Sequence, residues 1–106
     1  MINYMPFERL SAPSIDELNA IFSQYQITER ILVGHISASY IAKKNDVLYH
    51  AKVFPRRFIE NKIFVSKFHE VAHIMTRVSS PHFIPLVDYG VEAGMPYLVS
   101  AWVSIN

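Results

Sequence analysis

The strongest constraint on this chain is a change in the spacing of its apolar residues halfway along its length. Between Tyr25 and Val53 they fall in three short segments, broken at residues 34–35 and 44–46, a pattern typical of successive antiparallel strands. From Phe58 to Val78 they recur instead at spacings of four and three, which indicates one face of an α-helix. The residues of this helical stripe are Phe64, Phe68, Val71, Met75 and Val78.

The flanking segments complete the predicted fold. Pro55 closes the third strand and Pro81 ends the helix, after which Ile84 to Tyr89 and Tyr97 to Val103 predict two more strands around a turn at residues 92–94. Near the start, Ser14 and Glu17 form a capping-box pattern that predicts a short N-terminal helix. We therefore expect an α+β fold: a five-stranded antiparallel sheet with one long helix packed on it, plus the short N-terminal helix.

Composition limits the function classes. The chain has 106 residues, of which 51% are hydrophobic and 18% are charged, a balance that fits one packed domain. With a net charge of +1 and its basic residues dispersed, it is not expected to bind nucleic acid. It has no cysteine, which excludes disulfides and thiolate metal sites. Because neither a leader pattern nor an apolar run of about 20 residues is present, we expect a cytoplasmic protein that does not enter membranes.

Two stretches resemble a known family. Residues 80–90 followed by 94–99 resemble the fourth and fifth strands, with their turn, of the small lobe of bacterial serine/threonine protein kinases. Residues 49–55 resemble the third strand of that lobe, whose lysine pairs with the α- and β-phosphates of ATP, and Lys52 falls on that lysine. The resemblance runs from Tyr25 to Asn106. It implies an N-terminal extension at 1–24 and a kinase-like N-terminal lobe at 25–106 that ends at the hinge.

The resemblance also implies a degenerate nucleotide site. Aligned on residues 40–42, the glycine-rich loop falls on Leu32 to Ser37, where Gly34 alone is kept and Leu32 and Ser37 occupy the other two glycine positions. Glycines in that loop let backbone N–H groups approach phosphates. The same register places Ser39 where the family has a valine over the adenine, and His50 where it has a small alanine under it. The imidazole should therefore crowd a purine.

At the hinge, the resemblance makes Ser100 the gatekeeper and assigns the backbone hydrogen bonds to adenine to Ala101, Trp102 and Val103. In the long helix, a gapless alignment puts Val71 where the family has its lysine-pairing glutamate, and Glu70 lies about 100° away around the helix. We therefore expect Val71 to face the sheet and Glu70 to point away. Lys52 would then have no helix carboxylate within about 4 Å.

The family's catalytic aspartate and its magnesium ligands lie in the large lobe, so this chain supplies half a site and is expected to be inactive alone. ATP and magnesium are expected cofactors of an active full-length parent, and none is firmly predicted for this chain. The expected partners are the missing large lobe, or a second copy held through the exposed inter-lobe face, and a protein substrate for an active parent. Whether that parent is an active kinase or a pseudokinase stays open.

Two alternatives belong to other function classes. His69, Glu70 and His73 match the HExxH motif of zinc metalloproteases, in which the histidines bind zinc and the glutamate acts as general base. Glu92 would be a third ligand. Both histidines, however, fall on the polar side of the helix with Lys62, Ser66 and Thr76, which favours a solvated pair. The second alternative is a non-catalytic pseudokinase interaction module.

Overall fold

The computed structural model describes residues 12–34, 36–77 and 85–102. Within them the chain forms a five-stranded sheet in which every neighbouring pair of strands is antiparallel, in the order β1-β2-β3-β5-β4. The predicted fold class is confirmed. The elements are α1 Ile15–Ile21, β1 Gln26–Val33, β2 Ala38–Lys44, β3 Val47–Val53, a 3₁₀ turn Arg56–Glu60, α2 Lys62–Met75, β4 Leu86–Glu92 and β5 Met95–Ala101.

The short N-terminal helix α1 begins with the predicted capping box. The Ser14 hydroxyl accepts a hydrogen bond from the Glu17 amide at 3.1 Å, and the Glu17 carboxylate accepts one from the Ser14 amide at 3.1 Å. Two amide groups that a helix start leaves unpaired are thereby satisfied. This local bonding explains why a helix of 7 residues forms at this point.

One face of the sheet, here called the core face, packs against α1. Leu18 of α1 is fully buried there, as are Tyr40 and Val53 of the sheet. The Phe22 ring meets the Tyr97 ring edge-on, with centroids 5.0 Å apart. The Asn19 side chain donates to the Ile27 carbonyl at 3.0 Å and accepts from the Ile27 amide at 2.7 Å. The segment before β1 therefore contributes directly to the main hydrophobic core.

The helix α2 packs against aromatic rings at the end of β3 and on β4. Phe54 is buried just after β3, and Phe68 of α2 meets it edge-on at 6.0 Å between centroids. Phe58 of the 3₁₀ turn and Phe64 in the first turn of α2 pack against the same ring in tilted orientations. Phe68 also contacts Tyr89 of β4 at 6.5 Å. These contacts fix the rotation of α2 about its own axis.

The long helix is shorter than predicted. Residues 56–60 form a separate 3₁₀ turn, and α2 begins at Lys62 because the Asn61 side chain accepts a hydrogen bond from the Phe64 amide at 3.0 Å and so acts as an N-cap. The predicted end at Val78, and the proline expected to stop the helix, lie outside the described residues. The last helical residue is Met75.

The last two strands have different bounds from those predicted. β4 extends to Glu92 and β5 begins at Met95, so the turn between them is reduced to Ala93 and Gly94. Both residues have positive φ values, of 50° and 81°. A two-residue turn of this kind matches the twist of the strands it joins, which favours longer pairing than the sequence predicted. The predicted start at Ile84 lies outside the described residues.

The prediction that Val71 faces the sheet is wrong. Val71 is 50% exposed, whereas Phe68 and Ala72 are 8% and 1% exposed. The buried face of α2 follows Phe64, Phe68, Ala72 and Met75, because the ring cluster around Phe54 draws the two phenylalanines inward. Ala72 then completes the contact, since its small side chain lets the helix approach closely.

Candidate functional site

The predicted phosphate-side lysine lies in the middle of the sheet. On β3, Lys52 is opposite Ser39 of β2 and Leu98 of β5. Side chains alternate along a strand, and the neighbours Ala51 and Val53 are buried in the core under α1. The side chain of Lys52 therefore projects from the other face, which we call the lysine face.

The residues predicted to surround a nucleotide share the lysine face. His50 is opposite Ile41 on one side and Ser100 on the other, two positions along β3 from Lys52. Tyr89 is opposite Leu98 on the same face and contacts Phe68 of α2. The structure thus brings together Ser39, His50, Lys52 and Ser100 next to the side of the sheet on which α2 packs.

Electrostatics on this face favour one cation beside one neutral ring. His50 is half-buried, and its pKa is lowered below the ordinary value of 6.5 by burial and, to a smaller extent, by the positive charge of Lys52. The imidazole is therefore neutral at neutral pH. It can donate or accept hydrogen bonds while Lys52 carries the positive charge that an anionic ligand would meet.

Lys52 has no carboxylate from α2 beside it. Ion pairs in the described part of the chain include Lys43 with Asp46 at 3.8 Å and Lys67 with Glu70 at 3.7 Å. The Glu70 side chain is 61% exposed, and the buried side of α2 faces the sheet with Phe68 and Ala72 instead. In this conformation Glu70 points away from Lys52, although Val71 does not take its place against the sheet.

The turn that aligns with the glycine-rich loop closes on itself. The Gly34 amide donates to the Ser37 carbonyl at 2.8 Å, so this N–H is already used within the turn. A Cβ atom at position 34 would lie 3.2 Å from the same carbonyl oxygen, a tight contact that favours glycine. Leu32 is 65% exposed and Ile36 is 56% exposed. The turn therefore presents apolar side chains, and not an amide from Gly34, to an incoming ligand.

The predicted hinge begins where β5 ends. Ala101 is the last residue of β5, and its amide makes a long hydrogen bond of 3.4 Å to the Pro85 carbonyl. Ser100 is opposite His50, as a residue bordering the same site would be. Trp102 is half-buried, and Val103 lies outside the described residues.

In the described residues, the zinc-site alternative has no third metal ligand near His69 and His73. His69 and His73 are exposed on α2, and the His69 ring lies 5.4 Å from the Phe68 ring and 6.1 Å from the Tyr89 ring between centroids. In the three described ranges, no group of three or more histidine, cysteine, aspartate or glutamate side chains could hold a metal. Glu92, the predicted third ligand, ends β4 beside the turn to β5.

A polar pair on the core face was not predicted from the sequence. The Tyr25 hydroxyl donates to the Asp88 carboxylate at 3.0 Å, joining the start of β1 to the edge strand β4. Burial and the bonded carboxylate raise the pKa of Tyr25, and burial with the charges of Asp88 and Glu92 raises the pKa of Tyr97 to about 12. The partners are 63 residues apart, so no local pattern could have paired them.

No protein-family model matches the chain, and no curated protein matches it in sequence. Solved structures match in fold. They include the kinase domain of Mycobacterium tuberculosis PknI in its unsubstituted form, with 17% sequence identity and a TM-score of 0.70, covering 77% of this chain and 34% of that one. Single and double mutants of the same domain match with the same identity and TM-score, and 34% and 33% of their chains are covered.

The present chain therefore spans about a third of the length of the kinase domains that it matches. The fold is that of a kinase N-terminal lobe, with a five-stranded antiparallel sheet and a helix beside it. Within the described residues, no helix is long and apolar enough to cross a membrane.

Proposed function

We propose that this chain is the ATP-side lobe of a serine/threonine protein kinase-like protein and that Lys52 is its phosphate-side cation. The single observation that carries the proposal is the position of Lys52 on β3, in a kinase-lobe sheet and on the face beside α2. With no carboxylate of α2 next to it, its ammonium is available to phosphate oxygens.

The proposed site has a phosphate side and an adenine side. Lys52 attracts the phosphates, while the backbone of Ala101 and Val103 offers hydrogen bonds to the base. Gly34 and Ser37 bound the turn above the phosphates, and Glu70 is the nearest candidate carboxylate on α2 if the helix rotates. In an active parent the bound nucleotide is ATP with magnesium, and the product is a phosphorylated protein hydroxyl.

We propose further that the chain is inactive alone and binds nucleotide weakly. The groups that orient the hydroxyl and hold magnesium belong to the large lobe of a kinase, which is the proposed partner of the lysine face. Two features weaken nucleotide binding: the Gly34 amide is used inside its own turn, and the His50 ring occupies the adenine side. We also propose a cytoplasmic location, because the solved structures that match the fold are kinase domains.

A second candidate is a pseudokinase module that binds partners without catalysis. The observation in its favour is the crowded nucleotide side: Ser39 is buried, and His50 is half-buried with its ring on the lysine face. A face crowded in this way would exclude a purine while it still offered an apolar and basic surface to a protein.

The test is a titration of the purified chain with a fluorescent ATP analogue. We expect weak saturable binding that unlabelled ATP displaces and that Lys52→Ala weakens about tenfold, because one charge-assisted phosphate contact is lost. The matched control Lys62→Ala removes an exposed lysine of α2 and should leave binding unchanged. Equal effects of the two substitutions would contradict the proposal, and an absence of binding would favour the pseudokinase module.

A further inference from the structure

The outer surface of α2 carries a row of residues that do not pack on the sheet. Ile63 and Ile74 are 75% and 53% exposed. The side chains of Lys67 and Glu70, which lie between them, are 71% and 61% exposed. These four residues, which we call the outer stripe, are spaced four, three and four positions apart and project within about 60° of one another around the helix.

The outer stripe is separate from the buried side of α2. Phe68 and Ala72 face the sheet, more than 100° around the helix from the centre of the stripe. An amphipathic helix normally presents polar residues outward. Here two isoleucines flank a charged pair, and the 4-3-4 spacing is that of a coiled-coil seam.

The residues of the outer stripe are arranged so that the stripes of two antiparallel copies of α2 complement each other. Ile63 and Ile74 are equidistant from the point midway between Phe68 and His69, and so are Lys67 and Glu70. A second α2 laid antiparallel across a two-fold axis at that point would therefore put Ile63 of one copy against Ile74 of the other. The same axis puts Lys67 against Glu70 in both directions, so that two opposite-charge pairs form at the centre.

We propose that α2 mediates association of two copies of this chain through an antiparallel pairing of the outer stripes. The pairing shields four exposed isoleucine side chains from water, which is favourable in proportion to the area buried. Within one copy, Lys67 and Glu70 already lie 3.7 Å apart, so their side chains can exchange partners across the axis without leaving the stripe. The charged centre favours the antiparallel orientation, because a parallel pairing would place Lys67 against Lys67 and Glu70 against Glu70, and these like charges would repel.

The expected dimer is weak. α2 has 14 residues, about 21 Å of helix, and a seam of this length lies at the small end of protein interfaces. The stripe is also distinct from the lysine face, on which Leu48 is an exposed apolar residue, at 41%. Association through the stripe therefore does not depend on the proposed kinase-like function.

Charge exchange tests the pairing on the full chain by sedimentation equilibrium, from about 5 to 500 µM, the range suited to a small interface. Lys67→Glu and Glu70→Lys should each weaken self-association about tenfold or more, since each places like charges opposite one another twice. The double exchange should restore it. An equimolar mixture of the two single variants should form a heterodimer. This result would exclude the alternative that the single variants act only by breaking the Lys67–Glu70 ion pair within one helix.

Replacing an exposed apolar residue with serine on either surface shows whether the outer stripe or the lysine face forms the dimer. Ile74→Ser should abolish the dimer, and the matched control Leu48→Ser on the lysine face should leave it intact. Because all of these positions are exposed, melting temperatures should stay the same within the error expected for surface changes. A wild-type chain that is monomeric over the whole range would overturn the proposal. So would a dimer that Leu48→Ser disrupts, or one that the charge variants leave unchanged.

Discussion

His50 and Lys52 lie on the same strand and contribute different properties to the lysine face, an uncharged ring and a positive charge. Both project from the lysine face, and the charge of Lys52 adds to burial in lowering the pKa of His50. The histidine is therefore uncharged at neutral pH, and its ring acts mainly through its size. In the proposed nucleotide site, a ring of that size would obstruct adenine.

Removing the ring should therefore improve nucleotide binding. We expect His50→Ala to raise the affinity for ATP several-fold, because the space beside Ser100 opens while Lys52 keeps its charge. The measurement is the same fluorescence titration. The matched control is His69→Ala, which removes an exposed imidazole from α2. A weaker affinity for the His50 variant would mean that the ring contacts the ligand favourably.

The bond from Tyr25 to Asp88 predicts a specific loss of stability in alkali. The pKa of Tyr25 is raised in the folded chain above its ordinary value of 10.0. As the pH rises above 10, the unfolded chain therefore loses this proton first, and the free energy of unfolding falls with pH until the folded pKa is reached. Below pH 10 the contribution is fully present.

Chemical denaturation at a series of pH values between about 9 and 11 measures this slope. We expect Tyr25→Phe to make the dependence shallower, since phenylalanine has no proton to lose. Tyr49→Phe is the control, because no bond to Asp88 is lost there. An unchanged slope in the Tyr25 variant would show that its hydroxyl is not held in the folded chain.

Among the secondary-structure elements, the turns and the cap of α1 could be predicted from the sequence. The rotation of α2 about its own axis could not. The capping box at Ser14 depends on residues three apart, and its bonds form as expected. The rotation of α2 depends on Phe54, which lies on another element and draws Phe64 and Phe68 toward it. Counting apolar spacings favoured Val71 over Ala72, because alanine adds little to a hydrophobic stripe.

Paired substitutions test the observed rotation of α2. Phe68→Ala should lower the free energy of unfolding by about 3 kcal/mol, the usual cost of removing a buried phenylalanine ring. Val71→Ala should change it by less than about 0.5 kcal/mol, as is usual for exposed positions. Urea denaturation of both variants gives the comparison. A larger loss for Val71→Ala than for Phe68→Ala would restore the register that the sequence alone favoured.

At the scale of the whole molecule, α1 and α2 flank a sheet that matches part of a larger domain. The kinase-like lobe was indicated by residues 49–55, 80–90 and 94–99, whose local patterns resemble three strands of that lobe. The packing of α1 into the main core was not predictable in the same way. It depends on Asn19 and Phe22 meeting Ile27 and Tyr97 across the fold.

The proposed function predicts that this chain has no kinase activity by itself. Under the proposed function, we expect the purified chain to transfer no phosphate from ATP to a generic protein substrate above background, because in protein kinases the residues that orient the hydroxyl and bind magnesium belong to the large lobe. A radiolabelled phosphotransfer assay measures this. Turnover that Lys52→Ala abolishes would show that the chain carries a complete catalytic centre.

The most direct test of a phosphate site at Lys52 is to locate the bound nucleotide on the sheet. In an ¹H–¹⁵N NMR spectrum of the chain with ATP and a trace of Mn²⁺, the paramagnetic ion broadens resonances close to the bound phosphates. A phosphate site at Lys52 predicts stronger broadening at Ser39, His50 and Lys52 than at Leu18 on the core face, and loss of the effect in Lys52→Ala. Mn²⁺ without ATP is the control for binding to His69 and His73. Broadening centred on α1, or broadening of Ser39, His50 and Lys52 that needs no ATP, would contradict a phosphate site at Lys52.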